Sequence, residues 1–348
     1  MAQNLSPNRS AELVALSWLL ADRLGLALAI PEPDWDTLAP RQVLREATRH
    51  RVVGLVVTAP RADLLPPNVR EGLATAHRDA TLRAMTQAAD LRALLDHFAD
   101  ARIPVLMMKG QAFSAAVYGD WAVRGVSADA DFLVPPQRLE AAHAVLTRLG
   151  YTSSLDHGRK PPLAGWVGRY NRWLHYERGY SAPNKLRIDL HWRPLPGSAP
   201  WTRFESMWER RTAIELHGRP VAMTGPADSL RIAAGQAEPD GWPTLRAACD
   251  VIGAAGLLSS DHLDSLVSSD RLVAAAIRHA PEIFRLGNPR WGEGPSARHD
   301  ALWRQWVLRT RTDTISRAVT RSAFGMWLPA RRFASKAAVP HQPHARHE

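Results

Sequence analysis

Asp129-Ala130-Asp131 sets two carboxylates two positions apart, directly before the apolar run Phe132-Leu133-Val134. Side chains alternate faces along a strand, so Asp129 and Asp131 fall on one side while Ala130 and Phe132 point into packing. Two like charges side by side repel unless a cation sits between them. A hard divalent cation with oxygen ligands resolves that conflict, and magnesium is the usual choice beside phosphates. The segment Leu186-Arg187-Ile188-Asp189-Leu190-His191-Trp192 follows the same logic, with Arg187, Asp189 and His191 sharing a face. If this strand pairs beside the first, Asp189 joins the cluster. Three carboxylates are enough to seat two metal ions, which activate an attacking oxygen and neutralise a leaving one. Alone, Asp-x-Asp also fits a pair of solvated strand-end residues. The apolar flanks, Val126 and Phe132-Leu133-Val134, and the second matching strand weigh against that reading.

His191, on the carboxylate face, either orients a phosphate or an acceptor, or hydrogen-bonds Asp189 from behind. His175 precedes the third strand and is a weaker candidate for the same site. His341, His344 and His347 lie in a Pro-containing tail without supporting cysteines, which argues against zinc. No Gly-rich phosphate loop ending in Gly-Lys-Ser/Thr, no dinucleotide fingerprint and no Gly-x-Ser-x-Gly elbow is present.

Several elements must position these side chains. Ile103–Met108 is too short and apolar for a stable helix and reads as a buried strand; Lys109-Gly110 ends it, and 110–118 reads as a short helix. Ala130–Val134 is a second strand, closed by Pro135-Pro136. Leu139, Ala142, Val145, Leu146 and Leu149 mark an amphipathic helix stopped by Gly150, and Leu186–Trp192 is the third strand. Before this core, helices are expected around 9–28, 36–51 and 68–101, the last with Leu82, Met85, Ala89, Leu91, Leu94, Leu95 and Phe98 at helical spacing. After it, helices are expected near 226–237, 244–257, 261–280 and 298–322. The pattern predicts an α+β fold: a small mixed-sheet core at 102–223, an N-terminal helical region at 1–101, a C-terminal helical region at 224–335 and a disordered tail at 336–348.

Val105-Leu106-Met107-Met108-Lys109-Gly110, Tyr118, Arg124, Asp129-Ala130-Asp131-Phe132-Leu133-Val134-Pro135, Leu149-Gly150-Tyr151 and Ile188-Asp189-Leu190-His191-Trp192 occur in that order. Together they resemble the bacterial nucleotidyltransferase-like proteins, which carry a Leu-Lys-Gly motif, an Asp-x-Asp strand and an Asp-Leu-His-Trp strand. The likeness covers roughly 103–193. It implies a polymerase-beta-like nucleotidyltransferase core with Asp129 and Asp131 as shared metal ligands and Asp189 as the third carboxylate. It further implies that Lys109 and Gly110 hold the triphosphate of an NTP and that Arg124 adds a phosphate contact. A glycine opening a helix suits an anion, because the first N–H groups are free, and lysine supplies a point charge. The chain departs from the pattern at Ala130, where a bulkier residue is usual, at Met108 in place of leucine, and by an extra residue between Arg124 and Asp129.

The activity so implied is transfer of an NMP, with magnesium or manganese, from an NTP to a hydroxyl or phosphate of a small-molecule, sugar or peptide acceptor. Two alternatives stay open: an RNA-directed nucleotidyltransferase, and a non-catalytic nucleotide-binding or scaffold protein of the same fold. Net charge is +10, and from Arg298 onward ten Lys/Arg face three Asp/Glu. That surplus fits an anionic partner (nucleotide, nucleic acid or acidic lipid) or a solvated basic helix, and Trp303, Trp306 and Trp327 fit a nucleic-acid stacking surface, an interfacial membrane contact or core packing of the last helix. The absence of a membrane-length apolar run and the single Cys249 point to a cytoplasmic protein without disulfides. Cys249 itself reads as a small core residue.

Overall fold

The computed structural model describes residues 10–26, 31–125, 129–153, 168, 172, 175–196, 200–238, 242 and 244–286. The expected helix at 298–322, its tryptophans and basic residues, and the histidine-containing tail all lie outside the described residues.

The N-terminal region is helical, as its spacing predicts: α1 (Ala11–Arg23), α2 (Pro40–Arg49), α3 (Val53–Val57) and α4 (Pro67–Asp100). Ser10 caps α1 by accepting the Leu13 N–H at 3.3 Å. Proline opens α2 and α4, where the missing N–H would have no helical partner anyway. The apolar stripe of α4 is interrupted where its spacing predicts continuity, after the buried Val69 and Leu73. Leu82 and Met85 are exposed, whereas Leu91, Leu94, Leu95 and Phe98 are buried.

The core follows as β1 (Leu106–Met107), α5 (Gly110–Tyr118), β2 (Asp129–Leu133), α6 (Leu139–Arg148), β3 (Thr152–Ser153), β4 (Glu177–Ser181), β5 (Arg187–His191), α7 (Phe204–Glu209), β6 (Thr212–Leu216) and β7 (Arg219–Met223). The first strand is shorter than the expected 103–108, since Pro104 has no N–H to give a ladder. The seven strands form one mixed sheet in the order β3-β4-β5-β2-β1-β7-β6. β2 runs parallel to β5, and β1 parallel to β7; the other neighbours are antiparallel. The β6–β7 hairpin escaped the sequence pattern. It turns through His217 and Gly218, both left-handed at φ 52 and 75, the backbone that a tight two-residue hairpin needs.

Four helices complete the described chain: α8 (Pro226–Ala237), α9 (Leu245–Ala255), α10 (Ser260–Ser269) and α11 (Arg271–Leu286). The single helix expected over 261–280 is two. Asp270 leaves the helical region at φ −124, ψ 105, and its Oδ1 accepts the Leu272 N–H at 3.1 Å, which starts α11 afresh.

The sheet has two different faces. Ala130, Phe132, Ile188 and Leu190 enter the main core, which runs from Leu13 in α1 to Phe284 in α11. Phe132 meets Phe98 of α4 edge-on, with ring centroids 5.7 Å apart. On the other face, Leu133 packs with Leu106, Met108, Phe204, Met207 and Ile232. That small cluster closes one end of the row that carries the acidic residues.

Candidate active site

The central strand pair builds the site. β2 and β5 lie in parallel register with Asp131 opposite Asp189, Asp129 opposite Arg187 and Leu133 opposite His191. Because side chains alternate, Asp129, Asp131 and Asp189 come to one face at the centre of the sheet. Backing by Phe132, Ile188 and Leu190, all buried, fixes the register: a one-residue slip would turn that apolar set into solvent.

Asp131 is the most enclosed of the three. Lys109 Nζ lies 3.1 Å from its Oδ1, and His191 Nε2 lies 3.1 Å from the same oxygen. Burial by itself would raise its pKa, but the Lys109 ammonium and the His191 ring hold the carboxyl well below the usual range. His191, fully buried, therefore supports Asp131 and not Asp189, the partner that its place on β5 suggested. Its other ring nitrogen, Nδ1, lies 3.4 Å from Glu177 Oε2 on β4. Asp189 has the opposite environment. Burial, followed by the charges of Asp129, Glu177 and Asp131, pushes its carboxyl up to about 6, with His191 pulling the other way.

Glu177 is a site residue that the spacing of motifs did not reveal. The signal was present in Glu177-Arg178-Gly179-Tyr180, where burial of Arg178 and Tyr180 turns Glu177 to the opposite, acidic face. His175 stands just before β4, exposed, with its carbonyl accepting the Trp192 indole N–H at 2.9 Å.

Lys109 and Gly110 stand at the entry to α5. Lys109 is the extended residue before the helix, with no side-chain cap on the first turn, and Gly110 takes φ 65. The turn is left-handed there, which favours glycine, and a Cβ would meet no atom within 4 Å. The opening of α5 thus lies beside the Lys109–Asp131 pair. Arg124 goes elsewhere. Its Nε and Nη2 fork onto Asp250 of α9 at 2.8 and 2.6 Å, and its guanidinium lies 5.2 Å from the Phe113 ring. Cys249, next to Asp250, is buried, and burial pushes its thiol up, in keeping with a core residue.

Oxygen donors in this number suit a hard divalent cation, and the mutual repulsion recorded at Asp189 is what such a cation relieves. Among the described residues, no three or more His, Cys, Asp or Glu side chains are grouped so that they could hold a metal ion as they stand. Lys109 and His191 both bond Oδ1 of Asp131, which leaves Oδ2 as the oxygen that would face an ion. Among the described residues, no helix is long and apolar enough to cross a membrane.

The family model described as uncharacterised nucleotidyltransferase matches residues 32–278, more than two thirds of the chain. Among solved structures, the chain is similar to the solution structure of the antibiotic-resistance factor ANT(2'')-Ia. That likeness has 17% identity and a TM-score of 0.40, over 56% of this chain and 96% of the other. No curated protein sequence matches the chain.

Proposed function

The chain belongs to the uncharacterised nucleotidyltransferase family and is a nucleotidyltransferase; from that premise we propose that it moves an NMP from an NTP to a hydroxyl or phosphate of a small-molecule, sugar or peptide acceptor, with a divalent cation, magnesium or manganese, held by Asp129, Asp131 and Asp189. One observation carries this reading: Asp131 and Asp189 face each other in register on parallel central strands, with Asp129 two positions earlier on the same face. When bound, the cation supplies charge neutralisation on the phosphates and on the attacking and leaving oxygens.

The side chains supply position. Asp129 and Asp131 hold the shared ligands' place, His191 and Glu177 fix Asp131 from behind, and Lys109 with the opening of α5 faces the phosphate chain. Asp189, on the strand beside the Asp129–Asp131 pair, takes the proton of the acceptor hydroxyl. Catalysis of this kind is orientation plus electrostatic stabilisation, with no covalent intermediate on the protein.

The test is thermal stability across ATP, GTP, CTP and UTP, with and without magnesium, for wild type and for the Asp129→Ala/Asp131→Ala double variant. An NTP at about a hundred times its Kd adds roughly 2.7 kcal/mol, a shift of a few degrees. The expected result is a magnesium-dependent shift with at least one NTP that the double variant lacks. If no NTP shifts the wild type, the metal-dependent reading fails and a scaffold role takes its place.

A further inference from the structure

Guanidinium groups gather where α9 meets the N-terminal helices. Arg246 and Asp250 are one turn apart on α9 and so share a face. Asp250 is fully engaged: it accepts the Arg124 fork and the Tyr118 hydroxyl, the latter at 3.1 Å. Arg246 is half-buried, and among the described residues its side chain makes no hydrogen bond or ion pair. Its backbone N–H bonds the His50 carbonyl at 3.4 Å, which sets it beside Arg51, an exposed residue with left-handed backbone at φ 57. The Arg124 Nη1 takes no part in the fork to Asp250.

This crowding is unfavourable as it stands. Burial, then the Arg124 charge, pulls the Arg246 guanidinium down to about 10, with Asp250 opposing and Arg51 adding to the pull. Three guanidiniums share one bonded carboxylate. A half-buried cation without a partner costs free energy that a bound anion would return. The first N–H groups of α9 are not the donors: Leu245 gives its N–H to His50 Nδ1 at 3.1 Å, and Ala247 gives its own to Thr244. What remains free is the Arg246 and Arg51 guanidiniums and the Nη1 of Arg124, planar donors that match phosphate oxygens.

We propose that Arg246, Arg51 and the unforked edge of Arg124 form a seat for a phosphate group, distinct from the carboxylate face but adjoining it through Arg124. Arg124 links the two, because its backbone N–H bonds Ser114 Oγ of α5, the helix that opens beside the Lys109–Asp131 pair. The phosphate belongs either to the nucleotide or to the acceptor; only this choice of carrier rests on the nucleotidyl-transfer reading.

The experiment uses the full chain in phosphate-free buffer with EDTA, and inorganic phosphate and pyrophosphate as probes, read by thermal shift and titration calorimetry. Wild type is compared with Arg246→Met, which keeps the alkyl stem, and Arg246→Lys. Pyrophosphate should raise the wild-type Tm by several degrees. Its affinity should fall at least tenfold in Arg246→Met and recover in part in Arg246→Lys. Without anions, Arg246→Met should melt at or above wild type, because an unpaired charge has been removed. Equal pyrophosphate affinity in wild type and Arg246→Met, no binding by wild type at millimolar probe, or an anion-free Arg246→Met melting well below wild type would each overturn the proposal. Parallel loss of NTP affinity in Arg246→Met assigns the seat to the triphosphate, and unchanged NTP affinity assigns it to a phosphorylated acceptor. Metal-free pyrophosphate binding does not use the carboxylates, so it survives in Asp129→Ala/Asp131→Ala even where the metal-dependent reading fails.

Discussion

Acidic side chains collect at the β2–β5 pair from two strands that lie side by side, whereas basic side chains collect at α9 from segments far apart in the chain. Arg124 reaches Asp250 across 126 positions, and His50 reaches Leu245 across 195. The acidic face is positioned by a ladder whose register the buried face enforces. The basic cluster is positioned by helix packing and by single side-chain contacts between the N-terminal helices, the core and α9. The first arrangement concentrates like charge and relieves it only partly, at Asp131 through Lys109 and His191. The second contains one strong internal bond, the Arg124–Asp250 fork, and leaves Arg246 uncompensated. Charge crowding therefore marks both places, but removing a charge should have opposite consequences according to whether its partner is left behind.

The largest effect should come from Asp250→Ala. This change strands the Arg124 guanidinium and the Tyr118 hydroxyl, both enclosed, and breaking a buried pair from one side costs about 3–5 kcal/mol. Urea unfolding measures it directly. Adding Arg124→Met to the same chain should restore a large part of the loss, since neither charge is then orphaned. A loss below about 1 kcal/mol in the single variant would mean that the fork does not join α9 to the core.

These two regions were unequally legible in the sequence. The Asp-x-Asp and Asp-Leu-His strands announce themselves by alternation: each carboxylate is flanked by residues that must be buried, so its face follows from local pattern alone. Lys109 and Gly110 were legible as a strand-to-helix turn for the same reason. Glu177 was missed because β4 carries a buried arginine, Arg178, where an apolar residue would have marked a strand. Arg124 was read as a phosphate contact, and the structure pairs it with Asp250. No local pattern predicts a contact between a loop after α5 and a helix more than a hundred residues later. Arg246 looked like any helical arginine. The boundary at Asp270 was missed in the single helix expected over 261–280, although Ser268-Ser269-Asp270 is a run of residues that compete with helical hydrogen bonding.

A medium effect tests the junction that carries Arg246. His50 is buried, accepts the Leu245 N–H on Nδ1 and is pulled down to about 4 by burial and by Arg49, with Glu46 opposing. A histidine with a depressed folded pKa resists protonation that the unfolded chain accepts. Between 6.5 and about 4 the unfolded state therefore binds more protons. Stability contributed by His50 is full above pH 6.5 and is lost as pH falls toward 4. The loss should be on the order of 2 kcal/mol. Denaturant titrations at pH 7 and pH 4.5 for wild type and His50→Gln measure it. An equal pH slope in both chains would show that another group governs the window.

The smallest effect gives the sharpest contrast with Asp250. Asp189 is charged at neutral pH against burial and three neighbouring carboxylates, and its folded pKa of about 6 lies above the ordinary value of 3.8. The folded state then binds more protons than the unfolded one between those values, so Asp189 makes stability fall as pH rises through this window. Above pH 6 the cost is complete. Asp189→Asn, measured in EDTA, should therefore stabilise the protein at pH 7.5 by about 1 kcal/mol, discounted for the partial exposure of the side chain. The gain should shrink toward zero near pH 4, where wild-type Asp189 is itself largely protonated. The same variant should lose nucleotidyl transfer, because the acceptor's proton has no carboxylate to receive it. Greater stability with lost activity is the mark of a residue kept for chemistry at a cost to the fold. A destabilised Asp189→Asn at pH 7.5 would place Asp189 with Asp250, as a carboxylate whose bonds hold the structure together.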